Sequence, residues 1–237
     1  MSPNQTVREV VLQLPRATRV FEELKIDYCC HGETPLGDAC ARVGVGLEKV
    51  IQMLWEAEFT ETECAPDFQR MSLTELTMHI LDKHHVYTKR EMPRLETLLV
   101  RVMTVHGDSH PELLKVARLL RTLCEDLKPH MFKEEQILFP YVVQLEQSLR
   151  RHTPAPFAPF GTVDNPVRLM ISEHDQVGQL LGELREATAD YTTPADGCLS
   201  YQELNHQLEA LEKDLHQHIH LENNLLFPRA LEMERRR

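Results

Sequence analysis

Two segments of the chain repeat one pattern of residues that could do chemistry. His130-Met-Phe-Lys-Glu134 and His218-Ile-His-Leu-Glu222 each place a histidine four residues before a glutamate, and each runs on to Leu-Phe-Pro, ending at Pro140 and Pro228. Residues i and i+4 share one face of an α-helix, so each segment directs an imidazole and a carboxylate at one point. That is donor geometry for a metal ion. His85 precedes His130 by 45 residues and His174 precedes His218 by 44, so each half reads histidine, long gap, histidine, three residues, glutamate.

The long gap predicts an antiparallel helix pair. About 20 residues lead from His85 to a turn near His106, roughly 30 Å of helix, and a second helix from Pro111 returns by the same length to His130. The second half closes through Thr192-Thr-Pro-Ala-Asp-Gly197. Apolar residues recur at three- and four-residue steps through all four segments. These seams include Met78, Leu81, Met92 and Leu95; Leu120, Leu123 and Leu127; Met170, Val177 and Leu181; and Leu208, Leu211 and Leu215. His85, His130, Glu134, His174, His218 and Glu222 all fall on the seams. A carboxylate buried without a partner costs several kcal/mol, so glutamates there need a cation or a network of donors. A lone histidine on an apolar face is more often a hydrogen-bonded core residue than a ligand, but four histidines and two glutamates in a repeated pattern point to a metal site.

Histidine and carboxylate donors alone would accept zinc, manganese or copper as well as iron. His84 competes with His85, and position 85 is preferred because it continues the seam. His106, in the predicted turn Val105-His-Gly-Asp108, is a further candidate ligand or an end-capping residue. Glu135 and Glu173 sit beside seam residues and could be solvated, line an exit path, hydrogen-bond an imidazole or bind a departing metal transiently. The other histidines, His216 and His220 among them, are expected on exposed faces, with those two able to form a surface i, i+4 pair.

Capping boxes at Ser72-Leu-Thr-Glu75 and Ser200-Tyr-Gln-Glu203 are expected to start the first and fourth bundle helices, and Asp164-Asn-Pro166 the third. Pro93 is expected to kink the first helix or break it near Glu91. Thr153-Pro-Ala-Pro-Phe-Ala-Pro-Phe-Gly161 connects the helix pairs, since its prolines exclude a helix. Residues 1–58 form a separate small unit of four short helices, with a capping box at Thr6-Val-Arg-Glu9 and first-turn prolines at 15 and 35; 59–71 form an acidic linker, and 72–237 the bundle. A unit this small has a thin core and is expected to dock on the bundle or on a second copy of itself.

The informative stretch of the small unit is Asp27-Tyr-Cys29-Cys30-His31-Gly32. Adjacent cysteines in a predicted loop suit iron or nitric oxide binding, disulfide exchange or dimer contacts better than plain packing. Cys40, Cys64, Cys124 and Cys198 are isolated and read as structural thiols.

Composition bounds the rest. A chain of 237 residues with 42% hydrophobic and 27% charged residues is ordinary for a soluble protein, and only nine glycines favour an all-helical one. A net charge of -11 with no basic stripe argues against nucleic acid and anionic membranes. With no apolar stretch of signal or membrane-spanning length, the expected location is cytoplasmic.

At these residues the chain resembles the hemerythrin-like di-iron proteins over about residues 72 to 232. With Tyr28-Cys29-Cys30, Lys133-Glu-Glu-Gln-Ile-Leu-Phe-Pro140, Ser172-Glu-His-Asp175 and Leu221-Glu-Asn-Asn-Leu-Leu-Phe-Pro-Arg-Ala230, it resembles more specifically the iron-sulfur cluster repair di-iron proteins. The resemblance implies an all-α fold, a hemerythrin-like antiparallel four-helix bundle preceded by a small helical domain. It implies two non-haem iron ions, carboxylate- and oxo-bridged, with His85, His130, His174 and His218 as terminal ligands and Glu134 and Glu222 as bridges. The implied function is repair of iron-sulfur clusters damaged by nitrosative or oxidative stress, with iron donated past Cys29 and Cys30. Implied partners are damaged iron-sulfur proteins, small gaseous ligands and a second copy of the chain held through the amino-terminal unit. His31 stands where the family pattern has glycine. The alternatives are a di-iron sensor or carrier of oxygen or nitric oxide, and a di-iron enzyme that reduces nitric oxide.

Overall fold

The computed structural model describes residues 1–59 and 67–236. Cys64 and most of the acidic linker, Glu61 to Pro66, lie outside the described residues. The described chain is all-α. Four short helices come first: α1 (Val7–Gln13), α2 (Ala17–Leu24), α3 (Leu36–Arg42) and α4 (Leu47–Phe59). The expected box at Thr6 forms, with the hydroxyl accepting from the Glu9 amide and the Glu9 carboxylate accepting from the Thr6 amide. Pro35 is the N-cap of α3, and Pro15 precedes the Arg16 N-cap of α2, so both stand just outside the first turn. The unit closes on its own core of Val7, Val10, Phe21, Leu36, Val50 and Leu54.

Four rods follow. The first joins α5 (Leu73–His79) to α6 (Val86–His106) through a π-turn at Ile80–His85. The second joins α7 (Glu112–Lys133) to α8 (Phe139–Arg150) through a π-turn at Glu134–Leu138. The third is α9 (Asp164–Ala187). The fourth joins α10 (Leu199–Leu221) to α11 (Phe227–Arg235) through a π-turn at Glu222–Leu226. Helices α6 and α7 form one hairpin and α9 and α10 the other, with α6 packed on α10 and α7 on α9. No helix among the described residues is long and apolar enough to cross a membrane.

The π-turns explain where the seam departs from expectation. Each adds about one residue to a turn and so rotates everything on its far side by roughly 100°. Upstream of His85 the buried apolar positions are Leu73, Leu76 and Ile80, whereas Met78 is exposed and Leu81 only half-buried. The remaining seam residues are buried as expected. Pro140 and Pro228 stand directly after a π-turn, in the first turn of the helix that follows. A proline has no N–H to return to the preceding turn, and there none is required.

Two other helix expectations are refined. Of the two outcomes expected at Pro93, the break does not occur, since α6 runs on through it. Helix α10 begins earlier than the Ser200 box, with Cys198 as its N-cap and no side-chain cap; the Tyr201 and Gln202 amides donate to the Cys198 carbonyl. Ser72 and Glu75 do form their box, at α5. Asp164, Asn165 and Pro166 make the first turn of α9, and the Glu234 carboxylate accepts from the Val163 amide at its entrance.

The start of α5 is held from rod two. Glu146, 5% exposed, accepts from the Leu73 and Thr74 amides, both at 3.0 Å, and from the Thr74 hydroxyl at 2.6 Å. Burial alone would raise its pKa, but these hydrogen bonds outweigh that effect and hold the carboxyl below its ordinary value of 4.5. A lowered carboxyl stabilises the fold fully above that value and progressively less as the pH falls through its folded pKa. Replacing Glu146 by alanine strands three donors and should cost about 1–3 kcal/mol in urea unfolding at pH 7. The difference from the unmodified chain should narrow in acid.

Candidate metal centre

The two apolar layers of the bundle leave a polar layer between them. One core gathers Leu95, Leu123, Val177 and Leu211 with their neighbours, and the other gathers Leu76, Ile80, Phe139, Met170, Leu225 and Phe227. Along every rod the candidate ligands fall between the two: His85, then His130 and Glu134, then His174, then His218 and Glu222. All six are buried, and both glutamates are fully enclosed.

Their atoms form two groups that share the glutamates. His85, Glu134, His218 and Glu222 make one group, and His130, Glu134, His174 and Glu222 the other, each with its donor atoms within 4.8 Å of one another. Glu134 turns Oε2 to His85 Nε2 at 3.4 Å and Oε1 to His130 Nε2 at 3.3 Å. Glu222 turns Oε1 to His218 Nε2 at 3.0 Å and Oε2 to His174 Nε2 at 3.2 Å. Each carboxylate therefore offers one oxygen to each side. Across the bundle His85 Nε2 lies 3.2 Å from His218 Nε2, and His174 Nε2 lies 3.1 Å from His130 Nε2.

These residues fit a metal. Both Glu134 oxygens and Glu222 Oε2 are buried without a directed hydrogen-bond donor, although each has a histidine nitrogen nearby. Spacings of 3.0–3.4 Å between donor atoms are those kept by ligands around one ion at about 2.0–2.2 Å. Burial alone would lower the pKa of His130, yet the nearby Glu134 charge and the hydrogen bond to Glu173 raise it to about 10. Burial alone would raise Glu222, and the imidazoles of His218 and His174 hold it well below the carboxylate range. In the metal-free chain, protons on His85 and His130, whose pKa values are both raised by the neighbouring carboxylates, supply positive charge that a cation would otherwise supply.

Three imidazoles are fixed from behind. Glu135 Oε1 lies 2.8 Å from His85 Nδ1, and Glu173 Oε2 lies 2.8 Å from His130 Nδ1. Of the readings of Glu135 and Glu173, the structure shows the imidazole hydrogen bond, and Lys89 and Lys133 cover the same carboxylates. Asn223 Oδ1 holds His174 Nδ1 at 2.8 Å. Asn223 was not legible as a site residue, since an asparagine next to a seam glutamate resembles any polar surface position.

His84 faces away from the shared glutamates. Its Nδ1 pairs with Asp214 at 3.0 Å and its ring stacks on His218. His106 does not join the centre. It ends α6 about 20 residues from His85, roughly 30 Å along the helix.

The Cys29–Cys30 loop docks on the same layer. Cys30 Sγ reaches the His174 carbonyl at 3.6 Å, and Gly178 leaves it room, since a Cβ there would stand 3.3 Å from the sulfur. Asn223 Nδ2 donates to the Cys29 carbonyl at 3.0 Å and Asn224 Nδ2 to the Tyr28 carbonyl at 3.0 Å. Asp27 accepts from the backbone amides of Cys29, Cys30 and His31 and pairs with the His31 ring at 2.6 Å. The two sulfurs are 3.4 Å apart, and hydrogen bonding to Cys30, with burial and the nearby Asp27 carboxylate, pushes the Cys29 thiol well above its ordinary range. Beside them lies a cavity of ≈ 210 Å³ walled in part by Asp27, Cys30, Asp175, Gly178 and Arg185. His216 and His220 are corrected from surface to docking residues: His216 pairs with Glu22 at 2.8 Å, and the His220 ring packs on Tyr28 at 5.4 Å.

Comparison with known proteins agrees with this arrangement. Residues 76–230 match the family described as Hemerythrin HHE cation binding domain, which indicates a metal-binding site, and residues 3–58 match a domain of unknown function, DUF542. The chain is 33% identical over 231 residues to the iron-sulfur cluster repair protein YtfE of Yersinia pseudotuberculosis serotype O:1b, covering 98% of both chains. It is 34% identical over 228 residues to the protein of that name from Enterobacter sp. strain 638, covering 96% of this chain and 97% of that one.

Two outcomes are expected. The stabilisation that a raised imidazole provides is complete below its unfolded value near 6.5 and lost as pH rises through about 10. The melting temperature of the metal-free chain should therefore fall across that range, and Glu134→Gln should flatten the fall and abolish any rise in melting temperature with added metal. Replacing Asn223 by alanine leaves the Cys29 carbonyl and His174 Nδ1 without partners, so thiol labelling of Cys30 should accelerate about tenfold while the helical circular dichroism is unchanged.

Proposed function

The chain belongs to the hemerythrin HHE cation-binding family, and within it to the iron-sulfur cluster repair proteins, and from that membership we propose that it is a di-iron protein that returns iron to damaged iron-sulfur clusters. One observation carries the reading. A histidine-carboxylate centre with two equivalent halves lies against a pair of adjacent thiols, with His174 and Asn223 common to both.

Nitrogen and oxygen donors suit a cargo that must leave, because they hold ferrous iron less firmly than a closed thiolate cage would. When bound, iron supplies an ion whose preference for these donors changes with its oxidation state. The protein's own residues supply the rest. His85 and His218 serve one position and His130 and His174 the other, while Glu134 and Glu222 offer an oxygen to each. Glu135, Glu173 and Asn223 keep three of the rings in one orientation, which sharpens the site without closing it. Both cysteines border the cavity, but Cys29 is buried and held as a thiol, whereas Cys30 is only half-buried. We therefore assign Cys30 as the group that meets ferrous cargo between the bundle and the recipient protein, after an external electron donor has reduced it.

The amino-terminal unit, residues 1–58, carries the thiols in this scheme, and residues 72–237 carry the iron. A gas carrier would need the open coordination position but not the thiol loop, so the docked loop favours repair. Replacing Cys29 and Cys30 together by serine should leave two irons per chain and slow iron transfer to an apo-cluster protein by about tenfold or more. Unchanged transfer at full iron content would remove the thiols from the path. Steady turnover of nitric oxide by the unmodified protein would instead make it a di-iron enzyme.

A further inference from the structure

At the opposite pole of the bundle the turns of the two hairpins meet over a second group of donors. His106 closes α6, and His110 follows in the turn, where its amide donates to the His106 carbonyl at 2.8 Å. From the other hairpin come Asp196 and Cys198, just ahead of α10. Donor atoms of His106, His110 and Asp196 lie within 4.8 Å of one another, and Cys198, two residues after Asp196, is the N-cap of α10 in the same turn. We propose that this pole holds a second metal site, in which His106, His110, Asp196 and Cys198 take a single divalent ion of the zinc class.

Three observations support it. His106 is 9% exposed and its buried Nε2 has no hydrogen-bond partner. A polar atom enclosed in that way costs stability unless something occupies it. His110 is oriented as the candidate ligands of the bundle centre are. Its Nδ1 is held by the Glu112 carboxylate at 2.7 Å, while its Nε2 faces Asp196 Oδ1 and Oδ2 at 3.1 and 3.2 Å. A carboxylate behind one ring nitrogen is the usual support for a histidine that binds metal through the other. The same arrangement serves His85 with Glu135 and His130 with Glu173. The donor set is also of one kind. Two imidazoles and a carboxylate, with a thiol two residues along the chain to complete them, are donors that zinc accepts and that calcium or magnesium does not.

Tyr201 packs on both rings, with centroids 5.5 Å from each, so the cluster has an apolar floor and an outer side at the exposed Asp196 and Cys198. A hydrogen-bonded chain from Glu112 through His110 to Asp196 accounts for His110 alone and leaves His106 Nε2 unexplained. An ion here would clamp one hairpin turn to the other. The proposal does not depend on the identity of the metal in the bundle centre.

The test uses the full chain as purified, with its bundle-centre metal measured throughout, and zinc chloride as the probe. The unmodified protein should retain about one more zinc per chain than His110→Ala or Asp196→Ala at equal bundle-centre metal content, and Cys198→Ser should weaken retention by about tenfold or more. Zinc should also slow alkylation of Cys198, read by peptide mass spectrometry, in the unmodified protein and not in His110→Ala. The second readout separates this site from Cys29 and Cys30 and requires no variant of the buried His106. Equal zinc retention by the unmodified protein and both variants, or Cys198 alkylation indifferent to zinc, would overturn the assignment and leave a hydrogen-bonded network only.

Discussion

Two carboxylates enclosed between apolar layers are the constraint on which the rest of the molecule depends. Glu134 and Glu222 have no access to water, so their charge must be answered from within the bundle, by imidazolium or by a cation. That requirement accounts for the four histidines around them and for the groups behind three of those histidines, His85, His130 and His174, whose other nitrogens are secured. It also accounts for the purely apolar layers on either side, because a low-dielectric wall keeps the charges coupled to each other instead of to solvent. Burial is therefore a cost in stability that creates a strong demand for positive charge.

The amino-terminal unit extends the same network. Its thiol loop is held by side chains that stand immediately after Glu222, namely Asn223 and Asn224. Farther up the helix, His216 and His220 hold Glu22 and Tyr28. One turn of rod four thus contributes a centre carboxylate, the support of His174 and two anchors of the loop. A disturbance on one side of that turn reaches the other through two hydrogen bonds.

Much of this was legible in the residues themselves. The repeated histidine-glutamate spacing marked the six centre residues and the pairing of helices, because a one-turn spacing on a seam leaves few alternatives. The preference for His85 over His84 rested on the same periodicity. What escaped the reading has physical causes. Met78 and Leu81 were misplaced because a π-turn rotates the register, and nothing local in Ile80 to His85 announces one. The start of α10 was misplaced because a good cap at Ser200 lost to backbone geometry at Cys198. Asn223, His216 and His220 gained their roles only when a distant segment folded against them. His106 has the right chemistry at the wrong end of a helix, and only the folded chain shows which partners it meets there.

The prolines after two of the π-turns bear on how the centre exchanges its occupant. To relax into a regular α-helix, each wide turn would have to slip by one residue and ask Pro140 or Pro228 for an N–H it lacks. Both carboxylate rods are therefore latched in the register that keeps Glu134 and Glu222 facing each other, whether or not anything lies between them. Loading and unloading become matters of side-chain movement on a fixed frame. On such a frame the six side chains can move without rewinding the helices that carry them.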